Sequence, residues 1–402
     1  MPDLLDLCAA AVEAAEGDEQ VEAFAEERST TSVEAHRGEV EGLTFAGSRG
    51  VGVRLISDGR LGFAHVADPS VDEVRDAVAR ARENAAVATP DPFNALPAAE
   101  PIEPLDGLFS EALATMATDE KVPIALGMER AATTTDARVR KTEAVRYGDA
   151  VGAAAIASTE GVRAEYRGTG CWVVVVTLAE QDGDTQTGFS YRIARRVEDL
   201  DHDGVVAEAV QKQRSLFGPL VGEHVASDVL TVVDDGRLLD GPGAAPFDGE
   251  GVPTGRTELL SSGVLNGFLH NTYTARRGTT RSTGNAVRGY RSSPGVGTTN
   301  LFVQPGDRSF EQLLREAEGG VLVQEVTGVH SGANPISGEF SVGATGLRIS
   351  GGALGEPVRE MTIASTIPEM LQSVAALGSE LRWFSAVGVP FILLGEMTLA
   401  GV

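Results

Sequence analysis

The chain has 402 residues, 42% of them hydrophobic, with 48 glycines and only 5% aromatic side chains, and it carries a formal net charge of −25. That length exceeds what one hydrophobic core usually organises and predicts two domains, while the charge disfavours direct nucleic-acid binding, which needs a cationic surface. The longest apolar run, Cys171 to Leu178, has the length of a strand, well short of the roughly 20 residues that cross a membrane.

Leu5, Cys8 and Val12 recur at helical spacing and predict an amphipathic helix over 3–16. Thr31, Val33 and Ala35 alternate with polar residues, as do Val51, Val53 and Leu55, which lead through Asp58-Gly59 into Leu61, Phe63 and His65. Asp and Gly tolerate the positive φ of a tight hairpin turn, so these segments read as strands. Ser70 with Glu73 forms a capping box that opens a helix with Val71, Val74, Val78 and Ala81 on its apolar face.

Residues 89–104 are rich in Pro and Ala without periodicity and read as a connection. A mostly helical stretch to about Asp136 precedes five expected strands over 138–148, 151–159, 162–168, 171–180 and 186–196, with turns at Gly148-Asp149 and Gly183-Asp184. A short helix near 203–215 then leads into strand Val229 to Asp235 and hairpin-like pieces at Thr257 to Leu269 and Glu339 to Val358. Ser309 with Gln312 caps a helix to Glu318, and Ile367 to Leu377 is expected to be another. The expected fold class is α+β: an N-terminal domain over 1–215 with antiparallel strands, and a strand-rich C-terminal domain over 216–402.

Met1 to Glu16 carries acidic residues and no basic leader, so a cytoplasmic location is expected. The cysteines, Cys8 and Cys171, lie in different segments and form neither a disulfide framework nor a Cys-x-x-Cys knuckle. Three lysines, Lys121, Lys141 and Lys212, stand against 30 arginines, and with the charge they suggest a salt-rich cytoplasm that screens self-repulsion.

No two of His36, His65, His202, His224, His270 and His330 stand at i, i+4, so neither H-E-x-x-H nor H-E-x-x-x-H exists. A Walker-type phosphate loop and Gly-x-Ser-x-Gly are likewise absent. Thr283, Asn285 and Arg288 could contact a peptide main chain, or could belong to a solvated turn. The Gly-rich stretch from Thr327 to Ser341 presents His330, Asn334, Ser337 and Glu339. Such residues on a scaffolded loop suit binding, yet Gly328, Gly332 and Gly338 serve tight turns whose backbone the same side chains could satisfy.

Gly52 to Ser70, Pro246 to Arg256 (PFDGEGVPTGR), and Ser337 to Val402 with its SGEFSVGATGLRISGGALGEPVREMTI text closely resemble the TldD/PmbA family. The resemblance implies a two-domain α+β architecture with a curved, barrel-like C-terminal body, and paired subunits enclosing a channel where peptides are cut. It also implies a zinc-bearing subunit with His-Glu-x-x-x-His and a late Cys, and a zinc-free one. Here both zinc features are missing, since Ala209 to Asp228 holds no such pattern and Leu377 to Val402 holds no cysteine.

A strand and helix that relatives carry between the elements matching Val205 and Arg214–Phe217 are missing too, and Ala364-Ser365-Thr366 stands where relatives tend to have Ala-Gly-Asn. The chain thus resembles the zinc-free PmbA, or TldE, subunit. That implies no catalytic or metal-binding residue of its own, zinc in a TldD-like partner, assembly as a heterodimer or by self-association, and a peptide substrate. Two other readings stay open: a free-standing hydrolase built from dispersed Ser, His and Asp, and a protein-interaction modulator related to gyrase.

Overall fold

In a computed structural model the described residues are 2–135, 139–181, 184–199, 220–328, 332, 338–395 and 397–400. The expected helix near 203–215, His202 and the shortened junction at 205–217 lie outside them.

Helix α1 (Leu4–Glu13) precedes three strands, β1 (Gln20–His36), β2 (Glu39–Ser57) and β3 (Arg60–Ala67), and then α2 (Val71–Val87). Short α3 (Glu111–Thr115) and α4 (Thr118–Thr135) lead to β4 (Val139–Ser158), β5 (Arg163–Gln181) and β6 (Asp184–Ala194). The six strands form one antiparallel sheet in the order β3-β2-β1-β4-β5-β6. Asp58 and Gly59 take positive φ at the β2–β3 turn, and Ser70 with Glu73 makes the capping box of α2.

The alternation of β1 decides what this sheet supports. Side chains two apart share a face. Its odd residues Val21, Ala23 and Ala25 pack with Val51, Val53 and Leu55 of β2 under α1 and α2. Further along the same face, Val33 and Ala35 pack with Val145, Tyr147 and Val173 under α4. The even residues Glu22, Phe24 and Glu26 point the other way, toward the C-terminal half of the chain.

The expected break at Gly148-Asp149 is corrected: β4 runs through it as one strand, and β5 likewise runs unbroken from Arg163 to Gln181. Gly148 lies opposite Trp172, and a Cβ there would stand 2.3 Å from the indole. The glycine makes room for a cross-strand aromatic ring and does not turn the chain. Asp149 is buried because the Lys121 ammonium meets it at 2.9 Å.

The tip of the β1–β2 hairpin is held by Glu129 of α4, whose oxygens accept the N–H groups of Arg37 at 2.7 Å and Gly38 at 2.8 Å and the Thr142 hydroxyl at 2.9 Å. Burial opposes the charge, but these donors, with His36 nearby, outweigh it and hold the carboxyl below its ordinary value. Stability from this group is therefore present above the ordinary carboxylate pKa of about 4.3 and is lost as pH falls through the lower folded value. Glu129→Gln should cost about 1–3 kcal/mol at neutral pH. The gap to wild type should shrink in acid, as urea midpoints measured across pH would show; a gap independent of pH would refute the assignment.

The C-terminal half holds two open sheets. One has the order β17 (Arg382–Phe384), β18 (Val387–Val389), β12 (Leu301–Val303), β7 (Val232–Asp235), β8 (Arg256–Ser261) and β9 (Val264–Leu265). The other has the order β13 (Val321–Thr327), β14 (Glu339–Ser350), β15 (Ala353–Thr366) and β20 (Thr398–Ala400). Two-stranded ribbons join β10 (Ala286–Val287) to β11 (Gly295–Val296), and β16 (Val374–Leu377) to β19 (Ile392–Leu394).

The fold is α+β and strand-rich, with antiparallel sheets as expected, and the sheets of the described residues stay open and form no closed barrel. Helix α5 covers Thr272–Arg277 and α6 covers Phe310–Glu316, the latter opened by Ser309 and Gln312 as expected. Helix α7 spans only Ile367–Gln372, because Val374 to Leu377 pair with β19 as a strand. Among the described residues no helix is long and apolar enough to cross a membrane.

Candidate functional site

The turn Asp248-Gly249-Glu250-Gly251, at the heart of the PFDGEGVPTGR segment, seats the C-terminal half on the polar face of the N-terminal sheet. Asp248 accepts the N–H groups of Glu250 and Val252 through Oδ1 and that of Ala286 through Oδ2. Burial pushes its carboxyl up to about 7, against those donors. The turn aims Glu250 into the seam, where Oε2 accepts the Thr272 N–H at 2.7 Å and Oε1 meets Arg54 Nη1 at 2.8 Å.

Arg54 is shared. Its Nη2 lies 2.9 Å from Glu22 Oε2, and Glu22 Oε1 lies 2.5 Å from Arg288 Nη1. The side chains of Glu22, Glu250 and Arg288 are fully buried, and that of Arg54 is 5% exposed. Burial lowers the pKa of Arg54, but two carboxylates outweigh it and raise the value, whereas at Arg288 burial prevails over the close Glu22 carboxylate, with Arg54 adding to the downward shift. Arg288 also lies 5.2 Å over the Phe24 ring. Two arginines and two glutamates thus form a neutral buried chain that joins both halves.

Close approach completes the seam. Beside Arg54 on the same face of β2, a Cβ on Gly50 would stand 2.2 Å from the Tyr290 ring, and one on Gly52 would stand 2.3 Å from the Tyr290 carbonyl oxygen. A cavity of about 190 Å³ lies along this seam, edged by Arg54, Asn94, Asn271, Tyr273 and Ser293.

The sequence-derived candidates separate on this frame. Asn285, 1% exposed, donates to Asp234 and to the Gly297 carbonyl, and Arg288 belongs to the buried chain. Thr283 accepts the His270 N–H and donates to the His270 carbonyl. These three are brought together near the seam as architecture. Glu339 opens β14, opposite Thr366 of β15. His330, Asn334 and Ser337 lie outside the described residues.

Sequence reasoning passed over Glu22 and Arg54. Their signal was a charge placed inside an apolar strand: Glu22 among Val21, Ala23 and Phe24, and Arg54 between Val53 and Leu55.

The donor set of the described residues suits no zinc. Cys8 and Cys171 are buried in separate cores, each with its thiol against a backbone carbonyl and pushed up to about 12 by burial. A zinc ligand must be the thiolate, which these sites oppose. The described histidines sit on separate elements: His36 ends β1, His65 stacks on Phe63 in β3, His224 pairs with Asp228 and His270 bonds Thr274. Among the described residues no group of three or more His, Cys, Asp and Glu side chains is placed to hold a metal ion.

A second cavity, of about 340 Å³, lies at the end of β15 beside α7 and is lined by Ala364, Ser365, Glu369, Ser373, Met397 and Thr398. Beyond it β20 pairs only with Thr362 to Ala364, so among the described residues no strand covers β15 from Ala353 to Met361 on that side.

A six-stranded antiparallel sheet joined to an open, strand-rich body is an α+β architecture with solved examples. TldE from Thermococcus kodakarensis superposes with a TM-score of 0.86 at 21% identity, covering 98% of this chain and 99% of that one. A proposed modulator of a DNA gyrase from Thermotoga maritima MSB8 superposes with a TM-score of 0.86 at 24% identity, covering 98% of each chain.

Three family models match in chain order: PmbA/TldA metallopeptidase domain 1 at residues 21–85, the central domain at 111–217 and the C-terminal domain at 200–401. The chain belongs to the PmbA/TldD metallopeptidase family. Metalloprotease PmbA of Escherichia coli O157:H7 is 28% identical over 416 residues, spanning 92% of this chain and 90% of its own length. A TldD homolog of Buchnera aphidicola (subsp. Schizaphis graminum) is 26% identical over 46% of this chain and 38% of its own.

Proposed function

We propose that this chain is the zinc-free, non-catalytic subunit of a two-chain peptidase of its family, pairing with a zinc-bearing TldD-like chain and holding an extended peptide for it. The observation that carries the reading is the donor inventory: the sequence lacks His-Glu-x-x-x-His and has no cysteine after Cys171, while both cysteines are neutral core thiols. Activated water and its general base then come from the partner.

The uncovered stretch of β15 offers main-chain donors and acceptors to a peptide by strand addition, a mode that tolerates many sequences. The adjoining cavity with Ser365 and Glu369 would receive side chains. Hydrolysis of an unstructured peptide should be absent with this chain alone, absent or weak with the zinc-bearing chain alone, and present on mixing. Full activity from the zinc-bearing chain without this one would refute the templating role.

The charge of −25 supports a further part of the reading, operation in a salt-loaded cytoplasm. The unfolding midpoint should rise from low salt to molar KCl. Equal midpoints would count against it.

A further inference from the structure

Residues 259–306 include no Asp or Glu, in a chain where 58 of 402 residues are acidic, and no other acid-free run is half as long. Burial does not explain the gap. Residues 276–281 are all exposed, as are Arg291, Ser292 and Ser293. The surface of this segment carries Arg276, Arg277, Arg281 and Arg291 with no acid among them.

The four differ in what already holds them. Arg277 and Arg281 meet no carboxylate and no hydrogen-bond acceptor among the described residues. Arg276 gives Nη2 to the Pro92 carbonyl at 3.2 Å, and Arg291 donates from Nε to the Tyr290 hydroxyl at 2.9 Å. The carboxylates that reach α5, Asp91 and Glu250, accept from the Tyr273 hydroxyl and the Thr272 N–H, not from these arginines. Two arginines in the last turn of α5 suit the helix dipole, but the dipole neither calls for Arg281 nor excludes acids beyond the helix.

The turn that presents them is closed by hydrogen bonds. The Thr280 N–H donates to the Ala275 carbonyl at 2.9 Å and the Thr279 N–H to the Arg276 carbonyl at 3.2 Å, which ends α5 in a Schellman motif with Thr279 at φ 54°. The Thr283 N–H then returns to the His270 carbonyl at 3.1 Å, at the start of the helix. Arg276, Arg277 and Arg281 therefore share one short loop with the exposed Thr279 and Thr280. A guanidinium grips a carboxylate through two parallel N–H bonds, so exposed donors with no acidic partner select an anion.

The rest of the chain decides which anion. A nucleic acid lays a continuous row of phosphates over more surface than this loop offers, and the net charge of −25 repels it. A flexible peptide brings a few carboxylates to the loop and keeps its remaining length away. We propose that residues 276–281 form a docking site for acidic stretches of an unstructured peptide, held through their Asp and Glu side chains. The site belongs to α5 and the turn after it, so it depends neither on strand addition at β15 nor on a zinc-bearing partner.

Fluorescence anisotropy of a labelled peptide of alternating Gly and Glu should show binding to the full chain alone in salt of about 0.15 M, where charges act over only about 8 Å. Its Gly-Gln analogue should bind about tenfold more weakly, or worse. Arg276→Gln with Arg277→Gln and Arg281→Gln should abolish that preference and leave circular dichroism and the unfolding midpoint unchanged. Arg80→Gln with Arg163→Gln and Arg348→Gln, at exposed arginines elsewhere, makes the same change in charge and should keep the preference. The proposal is overturned by a Glu peptide that binds no better than its Gln analogue, by equal losses in the two triple variants, or by a single-stranded oligonucleotide of the same charge that binds as tightly as the Glu peptide.

Discussion

Arg54→Leu should lower the unfolding free energy by about 3–5 kcal/mol, because it leaves two buried carboxylates without their shared counter-charge. Glu22 would keep Arg288, but Glu250 would retain only the Thr272 N–H, 2.7 Å away. The loss falls on the contact between the two halves of the chain, since Arg54 belongs to β2 while Glu250 lies on the turn that seats the C-terminal half. Urea denaturation at fixed salt measures it, with Arg256→Leu as reference: that arginine meets Glu258 at the exposed surface, where solvent screens the pair and its loss is small by comparison. If the two variants lost equal stability, the seam would not be the keystone of the fold.

A comparable loss is expected at Lys121→Met. Lys121 is one of three lysines, and its ammonium is buried between Thr31 at 3.1 Å and Asp149 at 3.0 Å. Removing it strands the Asp149 carboxylate under α4 at a cost of about 3–5 kcal/mol. Adding Asp149→Leu should recover most of that loss, because an apolar pair of similar volume needs no charge compensation. This network and that of Arg54 share no partner, so the two single losses should add within about 0.5 kcal/mol. Strong coupling would show that the two ends of the N-terminal sheet do not behave as independent units. A Lys121→Met loss that Asp149→Leu left unchanged would place the cost in packing.

Local chemistry was legible in the sequence wherever the signal was short-range. The capping boxes of Ser70 with Glu73 and Ser309 with Gln312, and the Asp58-Gly59 turn, depend on residues a few positions apart and are found where the spacing puts them. Gly148 misled because its meaning lies across the sheet, in the Trp172 ring 24 residues later. Val374 to Leu377 continues an apolar helical pattern in sequence, yet β19 captures it as a strand, so tertiary pairing overrides local preference.

The seam was the least legible part. Glu22 and Glu250 stand 228 positions apart, and only the fold shows that one arginine serves both. The Asp-Gly-Glu-Gly segment was recognisable as a family marker. Its task, closing a turn that aims Glu250 at the opposite half, follows from the hydrogen bonds of Asp248.

The central claim is that this chain assists a metallopeptidase without carrying the metal. Zinc counted per chain after extensive dialysis, first on the isolated protein and then on its complex with a zinc-bearing relative, tests it most directly. The account predicts a trace in the first sample and one ion per pair in the second. One tightly held ion in the isolated chain, released by a chelator together with a peptidase activity of its own, would contradict it.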